Sequence, residues 1–256
     1  MILHPSDRGD VATFDDYLRS LSARYDSYLE NAVIESQFYR VSIDGREAGA
    51  IAVHDNTLLT YFHLVGPARQ QAADVWARAM AEFPITAAYV PTCDEQFLSQ
   101  ALEDFREIKK QACIFQEGSP VSSRSDARVT YRPAKPSDAA EIRALSGDFL
   151  DPLEQRLKDR EVRAGSIGGE IVAVGLAEPS RFFDGYASIG MFTHEGHRNR
   201  GTGTATIRHM RDVCRAEGIT PVAGCWYYNH GSRRTLEAAG MVTQTRLLRI
   251  EYDRPA

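Results

Sequence analysis

Nowhere in the 256 residues does an apolar run approach the roughly 18–20 residues of a membrane-spanning helix, so a soluble protein without a membrane partner is expected. Cysteine is equally sparse. Cys93, Cys113, Cys214 and Cys225 lie far apart with no CxxC pair and no Cys/His cluster, which argues against a zinc site, any other metal centre or a disulfide framework. The opening MILHPSDRGD has neither the basic flank nor the apolar core of a secretory signal, and a cytoplasmic location is expected. Positive charge is not in excess. Thirty Lys and Arg against 35 Asp and Glu leave a net charge of −5, which is no footprint for nucleic-acid binding.

What remains is an ordinary globular composition, 43% hydrophobic and 25% charged, in a chain long enough for two domains. The charge is uneven. Residues 1–126 carry 11 basic and 19 acidic residues, whereas residues 127–256 carry 19 and 16, so the second half is the better place to hold an anion. Between them GSPVSSRSD, 118–126, is polar and turn-rich. This stretch reads as an interdomain linker, giving domains over 1–118 and 128–256 with 119–127 between them.

The second half alternates clearly. VTYRP reads as a strand, and Ser137 caps a helix bearing Ala140, Ile142 and Leu145. Pro152 to Arg160 is a short charged helix, Gly168-Gly169 turns a hairpin, and YASIGMFT, 186–193, is an apolar strand. From Thr202 to Glu217, Ile207, Met210, Val213 and Cys214 recur at helical spacing up to Gly218. A strand ITPVAGCWYY, a helix capped by Asn229 and closed by Gly240, and a strand MVTQTRLLRIEY follow. The order is β-α-α-β-β-β-α-β-α-β. In the first half an acidic helix over 11–32 precedes a hairpin at Asp44-Gly45, the strand TLLTYFHLV, helices over 67–82 and 94–105, and strands ITAAYVP and KKQACIFQ. The order of elements repeats with a period of about half the chain, which predicts two similar domains.

The chemistry concentrates in EGHRNRGTGTATIRHM, 195–210, where a strand gives way through a glycine-containing loop to a helix. The first turn of a helix has unpaired N–H groups and a dipole that favours negative charge, so this junction can hold an anion. A phosphate loop of the Walker type would need Gly-Lys-Ser/Thr, which is missing. A dinucleotide-binding GxGxxG would need a small residue where Thr206 stands and a run of parallel βαβ units that the hairpins do not supply.

RNRGTG, Arg198 to Gly203, resembles the R/Q-x-x-G-x-G/A signature of the GNAT superfamily of acetyl-CoA-dependent N-acetyltransferases, and Asn229-x-x-Ser232 with Gly240-Met241 resembles its downstream segment. The resemblance covers the second half and implies tandem GNAT-like domains of α/β (α+β) type, each a mixed, mostly antiparallel sheet flanked by helices. It implies that the amides of Asn199, Arg200, Gly201, Thr202, Gly203 and Thr204 wrap the pyrophosphate of acetyl-CoA as co-substrate, with Arg198 and Arg200 adding positive charge. It implies a bulge at Met191, Phe192 and Thr193 that aims a backbone N–H at the thioester carbonyl, where one such donor is worth about 3 kcal/mol. Asn229 and Ser232 match positions that touch the pantetheine arm or the sulfur.

The implied reaction is direct attack by a primary amine on the thioester, which calls for a base to free an alkylammonium with a pKa near ~10. Here the chain departs from the family pattern. Leu236 stands where the family often has its acidic Tyr, and Gly224 where it often has its basic Glu. The substitutes are Tyr227, Tyr228 and Ser232 as acid, and Glu178, His194 or Glu195 as base. A non-catalytic acyl-CoA sensor and a protein lysine or N-terminal acetyltransferase stay open as alternatives. The acidic first half favours a cationic acceptor such as a polyamine, an aminoglycoside or a basic peptide. That half has Gly66-Pro67-Ala68-Arg69-Gln70-Gln71 in place of the paired glycines and resembles a degenerate GNAT domain, with His63 a packing or surface residue. A monomer or homodimer is expected.

Overall fold

The structure is a computed structural model that describes residues 1–253. Two compact units emerge, the first from Met1–Cys113 with Thr245 onward, the second from Ile114–Gln244.

Unit 2 contains β7 (Thr130–Pro133), α5 (Ala139–Ser146), α6 (Leu153–Lys158), β8 (Val162–Ile167), β9 (Glu170–Pro179), β10 (Tyr186–Thr193), α7 (Thr202–Ala216), β11 (Thr220–Trp226) and α8 (His230–Ala238). Its sheet runs β11-β10-β9-β8-β7, antiparallel except for the parallel pair β10 and β11. The mixed α/β architecture read from the sequence is the one observed. Helix α7 buries Ile207, Met210 and Cys214 along one stripe, as the 3.6-residue period requires. Gly218 stops it at a φ of +73°, and the Asn229 side chain opens α8 by accepting from the Ser232 N–H at 3.0 Å.

Unit 1 contains β1 (Ile2–Ser6), α1 (Phe14–Ser20), α2 (Ser27–Ile34), β2 (Gln37–Ile43), β3 (Arg46–His54), β4 (Leu58–Leu64), α3 (Ala72–Glu82), β5 (Ala87–Pro91), α4 (Glu95–Ala101) and most of β6 (Phe105–Glu117). The single helix expected over 11–32 is two. Between them Ser22 donates its N–H to the Cys93 carbonyl at 3.2 Å, and Tyr25 is fully buried with its hydroxyl 3.3 Å from that of Tyr17. Those tertiary contacts outweigh helical continuity. With β1 and the split helix included, the first half has the same element order as the second.

The helix expected over 67–82 begins as a 3₁₀ turn and is α-helical only from Ala72, while the one expected over 94–105 ends at Ala101.

The boundaries differ from those expected. Strand β12 (Met241–Tyr252) leaves unit 2 after Gln244, and its Leu247–Glu251 pair antiparallel with β5. Ile250 and Tyr252 enter the apolar core of unit 1, and the Tyr252 hydroxyl donates to the Ala101 carbonyl at 2.9 Å. No local pattern distinguishes a strand that closes its own domain from one given to another. The stretch 119–127 forms neither helix nor strand but is tied into unit 2. Ser123 donates to the Ala238 carbonyl at 2.6 Å, and the Asp126 N–H reaches the Gly201 carbonyl at 3.3 Å. The guanidinium of Arg128 holds the Asp126 carboxyl well below the usual carboxylate range.

Unit 1 buries polar side chains whose titrations oppose one another. Burial pushes Asp94 up to about 7 and His63 down to about 4. A carboxyl raised in the folded state stabilises below its ordinary pKa and loses that contribution as pH climbs to 7; an imidazole lowered in the folded state loses its contribution as pH falls from 6.5 to 4. The two effects offset each other between those limits. Asp94→Asn is therefore expected to make stability fall on acidification from about pH 7 to about pH 4, and His63→Gln to make it rise over the same range. Urea midpoints at both ends of the range check this, and two variants with the same slope would contradict it.

Candidate active site

Strands β10 and β11 pair only through Tyr186–Ser188 and Thr220–Val222. Beyond that point they part, and the gap is a cleft of about 640 Å³. Ile189 to Thr193 line one side, Gly224 to Trp226 the other, with Gly203 and Ile207 of α7 and Ser232, Thr235 and Leu236 of α8 closing it.

The backbone of β10 has a definite polarity here. His194 donates its N–H to its opposite number Val172 at 2.9 Å, so Phe192 and Gly190 share the hydrogen-bonded phase of the β9 ladder. Met191 and Thr193 consequently turn their N–H groups to the other edge, where β11 has left. The register with β9 is unbroken from Ala187 to Thr193, so the bulge expected at Met191–Thr193 is absent from this ladder. Strand alternation alone aims the donors.

The cleft leads to the start of α7. The first intrahelical bond runs from Ala205 N–H to the Gly201 carbonyl, which leaves the N–H groups of Thr202, Gly203 and Thr204 without helical acceptors. Gly203 lines the cleft, and a Cβ there would lie 3.1 Å from Thr235 Cγ2 and 3.4 Å from Met191. Gly201 has another reason to be glycine. Its φ is +91°, and a Cβ would meet the backbone of Arg124, Ser125 and Asp126 at 3.1 Å.

Arg198 reaches into the cleft, donates from Nε to the Thr193 carbonyl at 3.1 Å and places its guanidinium 5.6 Å from the Phe192 ring centre. Asn199 and Asn229 also line it, although the Asn229 side-chain oxygen is engaged as the cap of α8. Arg200 is exposed outside the lining. Thr202 and Thr204 are buried away from it, Thr202 donating to Asp126 at 3.2 Å.

The sequence-derived acid and base candidates scatter. Ser232 lines the cleft. Tyr227 and Tyr228 do not, and their rings pack on each other 5.1 Å apart. Glu178 is ion-paired with Arg156 at 3.3 Å, Glu195 is exposed, and the His194 ring accepts from the Gly196 N–H at 3.1 Å. Among the described residues that line the cleft there is no Asp, Glu, His, Lys or Tyr, and Arg198 is the one charged side chain. Cys225 and Trp226, which as members of an aromatic strand read as packing residues, also line it, as does Phe149, an isolated aromatic that carries no periodic signal.

An acetyltransferase (GNAT) domain model matches residues 11–118, and an acetyltransferase (GNAT) family model matches residues 131–241. The chain belongs to the GNAT acetyltransferases. Both halves carry the GNAT fold in tandem, so the first half is a member in its own right. Among solved structures, a GNAT-family acetyltransferase from Colwellia psychrerythraea is similar over 99% of this chain and 100% of its own, with a TM-score of 0.89 at 12% identity. A GCN5-related N-acetyltransferase from Sphaerobacter thermophilus covers 100% and 96% at a TM-score of 0.66 and 16% identity. A tandem GNAT protein from the clavulanic acid biosynthesis pathway covers 100% and 99% at 0.59 and 13%. No curated protein sequence matches the chain.

The GNAT fold of unit 1 parts its strands in the same way. β4 and β5 pair only through Leu58–Leu59 and Ala87–Ala88. There, however, the side-chain amide of Gln96 accepts from the Leu64 N–H at 3.1 Å and donates to the Leu64 carbonyl at 3.2 Å. Arg69 also donates to that carbonyl at 3.0 Å. At this edge of β4 the backbone groups of Leu64 are already occupied.

Proposed function

We propose that unit 2 binds acetyl-CoA and transfers its acetyl group to a primary amine by direct attack. The observation that carries this reading is the pair of β10 N–H groups, Met191 and Thr193, turned into a cleft that runs to the first turn of α7. Amides from Asn199 to Thr204 hold the pyrophosphate at the positive end of the helix, and Arg198 supplies a full positive charge beside them. Gly203 keeps the approach clear of side-chain atoms. The Met191 and Thr193 amides stabilise charge developing on the carbonyl oxygen, and Ser232 stands in reach of the cleft as a proton donor to the leaving thiolate. Gln96 leaves unit 1 with a structural role.

Release of free thiol from acetyl-CoA, followed across a panel of amines, tests the reading. Amine-dependent release is expected; acetyl-CoA binding without release by any amine would make the protein a sensor instead. Tyr227→Phe, Tyr228→Phe and Glu178→Gln are expected to change kcat less than about threefold, where loss of a true general acid or base costs about a hundredfold or more. A hundredfold loss in any of them would place that side chain in the chemistry.

A further inference from the structure

The exposed aromatic side chains of unit 2 collect in one place. Phe149 is 50% exposed, Trp226 58% and Tyr228 51%; the first two line the cleft and the third packs on Trp226 at 5.1 Å. Phe149 stands over Gly190, 3.6 Å from where a Cβ would be, with its ring 6.0 Å from that of Phe192. Large aromatics left half in water at the mouth of a cleft present ring faces that an incoming ring can cover.

The second observation concerns protonation. An alkylamine arrives at neutral pH as an ammonium with a pKa near ~10, and attack requires a group that takes its proton. Among the described residues lining the cleft none is acidic, imidazole or phenol, and the one charge, on Arg198, repels a cation. The cleft therefore disfavours the polyamine, aminoglycoside or basic peptide that the acidity of the first half had suggested.

We infer that the acceptor is an aromatic amine, an arylamine already neutral at physiological pH, seated against Phe149, Phe192 and Trp226. This rests on the acetyl-CoA reading above. The nitrogen lone pair forms the C–N bond as the C–S bond breaks with its electron pair on sulfur. The proton shed by nitrogen passes to solvent, and the thiolate of coenzyme A takes one back by way of the Ser232 hydroxyl, which solvent reprotonates. No basic side chain is needed to start the step, which is why the positions of Gly224 and Leu236 can be apolar.

The test compares 4-methoxyaniline, 2-phenylethylamine and spermidine as acceptors for the full chain with acetyl-CoA, from about pH 6 to about pH 9. The aniline is expected to have the highest kcat/KM at neutral pH, by about tenfold or more, and to show a nearly flat profile because it is already largely neutral at the acid end of the range. Phe149→Ala is expected to raise the KM for the aniline about tenfold while the Kd for acetyl-CoA stays within about twofold. Faster turnover of spermidine or 2-phenylethylamine, with rates climbing towards high pH, would overturn the inference and leave the acetyl-CoA reading intact. Acetyl-CoA binding with no turnover of the aniline would overturn it too. Absence of calorimetric binding of acetyl-CoA would instead remove the reading beneath it.

Discussion

Gly203→Glu is expected to weaken acetyl-CoA binding by at least about a hundredfold, equivalent to some 3 kcal/mol, without unfolding the protein. Two effects act together. The new Cβ would press on Thr235 at 3.1 Å and Met191 at 3.4 Å, both of which line the cleft. The carboxylate would also occupy the first turn of α7, where the proposed pyrophosphate sits, and oppose it by charge. Stability moves the other way. Replacing a helical glycine removes a propensity penalty of roughly 1 kcal/mol, and an acidic side chain in the first turn favours the helix dipole. Calorimetric titration with thermal unfolding on the same sample separates the two effects. Unchanged affinity would mean that the anion site has been misplaced, and lost affinity with lost folding would mean that the clash alone is being measured.

Arg211→Met is expected to destabilise unit 2 by about 3 kcal/mol, the lower end of the cost of breaking a buried ion pair. Arg211 is 3% exposed, and its guanidinium spans Glu117 at 2.9 and 3.0 Å, the Gly118 carbonyl at 2.7 Å and the Ala239 carbonyl. It thus joins the end of β6 to the last turn of α8. Gly240 belongs to the same arrangement, with a φ of +89° and a Cβ position 2.6 Å from the arginine nitrogen. Glu117 keeps Arg215 as a second partner and some exposure to water, which is why the lower end applies. Methionine matches much of the volume but leaves two carbonyls without their donor. Urea unfolding followed by far-UV circular dichroism, with hydrogen exchange of α7 peptides to locate the loss, gives the value. A change under about 0.5 kcal/mol would show that water replaces the guanidinium freely.

The legible parts of this chain were those governed by local chemistry. The stripe of Ile207, Met210 and Cys214 names α7, Gly218 its end and Asn229 the cap of α8, because each rests on contacts within a few residues. The same holds for the crossing from β10 to α7, where RNRGTG resembles the signature of the family that the domain models match. Tertiary choices were not legible. Helix 11–32 breaks because Ser22 finds its partner in the distant Cys93 carbonyl and Tyr25 turns back to bury its hydroxyl against that of Tyr17, and β12 enters unit 1 because the β5 edge accepts it. At the site, the motif resemblance points to the cofactor, and charge composition is a weaker guide to the acceptor. The net acidity of the first half suggests a cation, whereas the lining of the cleft includes Phe149, Phe192 and Trp226 and one charged side chain, Arg198. The expected strand ITPVAGCWYY stops at Trp226, so Tyr227 and Tyr228 fall in the turn that follows and outside the lining of the cleft.

Calorimetric titration of acetyl-CoA into the full chain tests the central claim most directly. One site per chain is predicted, since unit 2 presents the open β10 edge, whereas in unit 1 Gln96 holds the backbone of Leu64 and the paired glycines are missing. No heat at millimolar ligand, or two equivalent sites per chain, would contradict the account.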